Sequence, residues 1–432
     1  MATEITSPIM LDSTGRDIAA AILAVRAALI NGHGICYGFH VDGAESDPAS
    51  KITYLSDAVG MIPAHMNYTS GKFDYGSWKD AFFMPRPCML RYDGTVDYYL
   101  DPDDYTKRED GTASDVANVD YAGNAMMEWG RDGRQIWWKC EADADDATSG
   151  SVYIADYQVD STFHNYNFIN CKGNSVPHFY TPCFNGALDS AGRLRSISGL
   201  APVNSKNAQA EIDAAKLNNT TDNVIWYTET YVDSQLINFL LLLMGRNTDT
   251  QTVFGNGHYT GGSSASSLLN TGTMNARGLF WGTNGTGNGV KVFGMENWWG
   301  NQWRRYAGHI NASGTQKVKL TYGTEDGSTA TAYNTTGDGY ISVGATPGGT
   351  SGGYITNMNF SKDGMLPQTA TGSNTTYYCD GLWFNNGQTD YALRGGACVH
   401  GWPVGALCCD LGGTPSHAWW EIGAAPSCKP LA

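Results

Sequence analysis

The segment from Thr230 to Met244 constrains the fold of this chain more than any other. Apolar side chains at Val232, Leu236, Ile237, Leu240, Leu243 and Met244 recur at the three-and-four spacing of one helical face. Thr230 and Asp233 stand in capping-box spacing, and Gly245 supplies a stop. So wide an apolar stripe predicts a helix buried on a sheet. Its apolar run, Leu236 to Met244, is too short to cross a bilayer, which takes about 20 residues, so no membrane insertion is expected.

The sheet has to come from the segments on either side. From about Lys79 the chain turns strand-like, in PRPCMLRYDG, RQIWWKCE and SVYIADYQVD, the last alternating Val152 and Ile154, then Tyr157 and Val159. After the helix come glycine-rich loops at 255–262 and 282–289 around a short strand, Val290 to Phe293. QKVKLTYGTEDG at 316–327 alternates Val318, Leu320 and Tyr322 and then turns, as a hairpin does. The stretch 324–376 is rich in Gly, Thr, Ser and Asn, but Tyr340–Val343 and Tyr354–Thr356 interrupt it with strand-sized pieces, which predicts ordered loops. With 53 glycines, 12% aromatic and only 16% charged residues in 432, the expectation is a loop-rich fold held by aromatic packing. Residues 1–75 read differently. There an Ala-rich helix with Ile18, Ile22, Val25 and Leu29 on one stripe suits a small N-terminal assembly or attachment region.

Charge and motifs exclude several functions. A formal net charge of -15 with no basic block argues against a nucleic-acid partner. The ten cysteines are spread along the chain with no disulfide-framework spacing. The N-terminus lacks a basic region followed by an apolar core, so no signal peptide is expected and synthesis in a cytoplasm is. No HExxH or P-loop occurs, and Gly285–Gly289 is a glycine loop without the context of a nucleotide site. Asp143-Ala144-Asp145-Asp146 opens like a calcium loop but lacks the later Gly and Glu, so it reads as a solvated acidic turn. The nine histidines are dispersed. No metal and no cofactor are expected.

The last forty residues combine order and irregularity. Leu393-Arg394-Gly395-Gly396 ends one strand, Val404-Gly405-Ala406-Leu407 reads as another, Thr414-Pro415-Ser416 as a turn, and Trp420-Glu421-Ile422-Gly423-Ala424 closes. Between them the letters follow no periodicity. This pattern resembles the C-terminal variable region of proteins diversified by retroelements that miscopy adenines, many of them phage receptor-binding proteins. The resemblance covers Ala392 to Ser427, with hypervariable limits at 392–427. An AAC codon altered at its adenines can give Asp, Gly, His, Ala, Val, Cys or Pro. Those residues stand at Ala397, Cys398, Val399, His400, Pro403, Cys409, Asp410, Gly412, Gly413 and His417. With Trp402, an exposed aromatic candidate that AAC cannot produce, they are the expected ligand-binding set. Trp419, Trp420 and Glu421, equally unreachable from AAC, are expected framework.

At the level of fold the resemblance is to the α+β C-type lectin fold in its formylglycine-generating-enzyme-like version; it covers about 290–428, extends more loosely from about 80, and implies a ligand-binding domain over residues 76–432. Glu296 to Trp303 (ENWWGNQW) stands where that family has a core GNVWEW segment, and Leu393 to Gly396 where it has LRGG. The implied framework is Trp298, Trp299, Trp303, Arg394, Gly395, Gly396 and Trp420, with the tryptophans buried beneath the site. The family's copper oxidase places two cysteines four and nine residues after the GG dipeptide. Here Cys398 and Cys408 lie two and twelve after it, so that chemistry does not carry over. What the resemblance implies is a non-enzymatic tail tip or fibre protein in a virion. It would bind a host cell-surface protein or glycan, contact other virion tail proteins, and form a homo-oligomer, with a trimer the family's usual state. The alternatives are a bacterial displayed adhesin of the same fold and, behind it, a formylglycine-generating-like oxidase.

Overall fold

The computed structural model describes residues 34–320 and 337–431. The N-terminal helix expected at 18–29 and the turn expected near 324–327 lie outside these residues. Two compact units divide the chain, Met1–Ile35 and Cys36–Ala432. The large unit therefore starts some forty residues before the expected boundary at 76. The reason is pairing: Cys36–Val41 lies between Ile52–Ser56 and Asp146–Ala155, with Trp137–Asp143 completing a four-stranded antiparallel sheet. Phe39, Val41 and Ile52 are buried there, so residues 36–75 are part of the core and not a separate attachment region.

Sheet dominates the described residues, and the α-helices are Ala208–Lys216, Tyr231–Gly245 and Thr250–Phe254. A second sheet of seven strands runs in the order Val224–Thr228, Pro426–Pro430, Phe179–Pro182, Gly123–Trp129, Arg86–Arg91, Val96–Asp101 and Asp104–Arg108. The closing strand of the chain is thus an inner strand, paired on both sides. The third sheet centres on Trp303–Ala312, Thr389–Arg394, Cys409–Gly413, Gly381–Phe384 and Gly353–Ser361, in that order. The hairpin at the 316–320 segment forms with the preceding strand: Trp303–Ala312 turns at Ser313 and Gly314 into Thr315–Val318.

The central helix starts one residue after Thr230 and ends on Gly245. It is not amphipathic in its surroundings, since all fifteen residues are buried. A helix enclosed on all sides must satisfy its polar side chains internally. Asp233 does so by accepting from the Thr230 hydroxyl (2.9 Å) and the Asn167 amide (3.0 Å), and Tyr231 donates to the Asp363 carbonyl (3.0 Å). Thr230 thus bonds the carboxylate of its capping-box partner and not that residue's N–H. The stop is made by Arg246, which takes the left-handed conformation (φ 49°) just beyond Gly245.

Candidate ligand-binding surface

The surface is built on a buried clamp. Trp303–Ala312 and Thr389–Arg394 pair so that Arg304 lies opposite Arg394, and both guanidinium groups reach the one carboxylate of Glu229, at 3.2 and 2.8 Å. Arg394 also donates to the Trp298 carbonyl (2.7 Å) and stacks over the Trp298 ring at 3.3 Å. Trp298 in turn donates its indole N–H to Asn238 of the central helix (3.0 Å), and Trp299 donates to the Gly255 carbonyl (3.0 Å). Beside them Arg305 pairs with buried Glu211 at 2.7 Å and donates to the His417 carbonyl at 2.9 Å. The Trp-Arg-Arg run of this strand therefore holds both flanks of the closing segment.

Gly395 is required by close approach. Its φ is +83°, and a Cβ there would stand 2.8 Å from the Trp298 carbonyl oxygen. Gly300 donates to the Gly395 carbonyl (2.9 Å) and Gly395 donates to that of Cys408 (3.0 Å), so the backbone threads between two fixed segments. Trp298, Trp299 and Trp303 are buried, as are Arg394, Gly395 and Gly396. Trp420 departs from the expected framework by remaining half-exposed, and Trp419 is 56% exposed, its ring stacked on His417 at 4.9 Å. Both follow the Thr414–Ser416 turn and lie outside the strands. Only Ile422 and Gly423 return to pair with Trp303 and Arg304.

Val404 to Leu407, expected as a strand, is a buried turn. Asp380 explains it: its carboxylate accepts the Leu407 N–H at 2.7 Å, and Gly405 leaves the room that its other oxygen occupies. The strand begins two residues later, at Cys409–Gly413.

The eleven expected ligand-binding residues divide by depth. Val399 and Trp402 are exposed, at 43% and 48%, and His400, Pro403, Asp410, Gly412 and His417 are half-buried. Ala397, Cys398, Cys409 and Gly413 are buried, which corrects their expected place on the surface. Ala397 packs into a cluster with Trp303, Leu393, Cys408 and Ile422. Cys398 lies beneath Gly261, Cys409 faces Tyr306 at 3.8 Å, and Gly413 pairs with Tyr391. Strand alternation causes part of this: Asp410 looks outward while Cys409 looks toward the central helix.

His400 fits edge-on between Trp303 and Trp383, at 5.2 and 5.3 Å, so this position shapes the loop from inside. Burial lowers its pKa, keeping the imidazole neutral against the two rings. Asp410 sits beside Trp383 in the strand register, and its carboxylate accepts the Gly412 N–H (2.7 Å). Burial, reinforced by the charge of Asp390, raises this carboxyl to about 6. Burial and then Asp410 raise Glu421 in the same direction.

Sequence reasoning missed Tyr259 and the loop after it. The Tyr259 ring lies 5.0 Å from Trp402, its carbonyl accepts the Gly401 N–H (3.0 Å), and the Gly261 N–H reaches the Cys398 carbonyl. Residues 260–266 are exposed alongside. The glycines of 255–262 were the available signal, but nothing local tied them to residues 140 positions later.

Cys408 and Cys409 are buried, and burial raises both thiols above their ordinary value, whereas reactivity requires a thiolate. Burial also raises the Cys398 thiol, to about 11. Among the described residues, no three His, Cys, Asp or Glu side chains are grouped to hold a metal ion, and no helix is long and apolar enough to cross a membrane. The Asp143–Asp146 segment is the turn between two paired strands. Compared with known proteins, the chain matches no family model and no curated protein.

Proposed function

We propose that this chain is a non-enzymatic receptor-binding protein of a phage tail, which attaches to a host cell-surface protein or glycan through a retroelement-diversified surface on a C-type lectin-like framework. One observation carries the reading. Within a single closing segment, the backbone is fixed by the buried Arg304–Glu229–Arg394 clamp while Val399 and Trp402 project outward. A recognition surface that changes sequence without unfolding needs that separation. The lectin-like part of the reading is supported by a helix packed against the sheet, an ENWWGNQW segment folded as short strand and tight turn, and LRGG opening the closing strands.

Trp402 is the energetic anchor of this surface, because it is large, exposed and braced by Tyr259. Display of several copies on a tail would multiply a weak single-site affinity. Attachment of fluorescently labelled full-length chain to a panel of bacterial strains tests the proposal. Binding to a subset of strains that Trp402→Ala lowers at least tenfold supports it. Binding to none, or binding indifferent to both Trp402 and Val399, contradicts it. The neighbouring DNA gives a second check: a near-copy of the closing segment with AAC or AAT at codons 399, 410 and 412 is expected, and a copy lacking adenine-specific differences would sink the diversification claim.

A further inference from the structure

The central helix carries a polar notch of Ser234, Gln235 and Asn238. That notch lines a cavity of about 20 Å³, lined also by residues that include Tyr306, Arg394, Cys408 and Cys409. A space of this size holds one small particle, because a water needs roughly 10–15 Å³ by the same measure. Arg394, only 2% exposed, lines the cavity, and its buried Nε–H has no hydrogen-bond partner among the described residues. An orphaned buried donor on a charged group calls for an occupant.

The other polar groups define which occupant fits. Asn238 donates one N–H to the Ala406 carbonyl (2.9 Å) and accepts from Trp298 with its oxygen. Gln235 accepts the Met365 N–H with its oxygen (3.0 Å), which leaves its NH2 group as the free end. Tyr306 is fixed by a relay. Gln316 donates to the Pro367 carbonyl (2.7 Å), so its oxygen accepts from His309 Nε2 (2.9 Å), and His309 Nδ1 is left to accept the Tyr306 hydroxyl proton (2.8 Å). With Ser234 bringing a hydroxyl, the cavity offers the donors Arg394 Nε–H, Gln235 NH2 and Ser234 O–H. No carboxylate lines it.

Charge points the same way. Arg304 and Arg394 share the single carboxylate of Glu229, so the clamp has one more positive than negative charge. The Trp298 face eases this but adds no formal charge. Asp380 is not among the residues that line the cavity, and its carboxylate is engaged by the Leu407 N–H instead. Uncompensated charge in an interior is costly, and a counter-ion in the adjoining cavity removes the cost.

We infer that the cavity beneath the closing segment is a binding site for one small monovalent anion of chloride type, held by Arg394 Nε, Gln235 and Ser234. The site would tie the folding of the clamp to halide concentration. Thermal unfolding of the full chain in sodium chloride, sodium bromide and sodium gluconate at matched ionic strength tests this, with Ser234→Ala alongside. The expected result is a Tm that rises about 2 °C per tenfold increase in halide but not in gluconate. Ser234→Ala should move that dependence to roughly tenfold higher halide. Bromide-grown crystals should show an anomalous peak within hydrogen-bond reach of Arg394 Nε. A Tm that follows ionic strength regardless of the anion, a halide curve unmoved by Ser234→Ala, or a cavity containing only water would each overturn the assignment.

Discussion

The clamp and the rim of the candidate surface meet in one short stretch of chain, which begins at Arg394, yet they obey opposite rules. In the clamp, Glu229, Arg304, Arg394 and Trp298 are buried and each makes several directional contacts. At the rim, Val399, Trp402 and Trp419 stand in solvent, the two tryptophans each resting on one neighbouring ring. The contrast shows that tolerance to change is a property of depth and not of sequence neighbourhood. Arg394 and Val399 are five residues apart, but one organises four segments and the other organises none.

The largest expected break lies in the clamp. Glu229→Gln leaves two buried guanidinium groups without a countercharge and should cost about 3–5 kcal/mol, read as a lower urea midpoint. Trp298→Ala should cost a similar or slightly smaller amount, about 3–5 kcal/mol, through its cavity and the loss of the Arg394 stack. If either variant unfolds at the wild-type midpoint, the clamp is not what holds the segment.

Asp410 lies between the two regimes. Its folded carboxyl, raised from 3.8 to about 6, binds its proton more tightly than the unfolded chain does. Its contribution therefore favours the folded state below about pH 4 and is lost as pH climbs to about 6. Asp410→Asn keeps an acceptor for Gly412 and removes the charge. It should raise stability by about 1 kcal/mol near pH 8, after discounting for partial exposure, with no gain near pH 3.5. A gain that does not change with pH would mean that ionisation is not its source. Smallest is the rim: Trp402→Ala should alter stability by less than about 1 kcal/mol by urea unfolding, while abolishing most cell attachment.

What could be read from the chain alone depended on how local each signal was. The central helix was legible to within a residue because its period lies inside the segment, although its stop falls to Arg246 and its enclosure on every side was not visible in its pattern. Leu393 to Gly396 was legible because positive φ and close approach demand glycine there. Val404 to Leu407 was misread because its turn is imposed by Asp380, twenty-odd residues upstream, whose carboxylate holds the Leu407 N–H. Residues 36–75 were set apart because their partner strand, Asp146–Ala155, is a hundred residues away. Codon logic grouped Ala397, Cys398, Cys409 and Gly413 with Val399, but burial depends on strand alternation and on loops from elsewhere. Tyr259, itself buried, reaches Trp402 through such a loop.

A paired saturation library tests the separation of clamp and rim most directly. One library would randomise Val399, Trp402, His417 and Trp419, the other Glu229, Trp298, Arg304 and Arg394, and both would be displayed and sorted for protease resistance. The account predicts that most rim variants survive at near wild-type levels while almost no clamp variants do. Equal losses from the two libraries would contradict it.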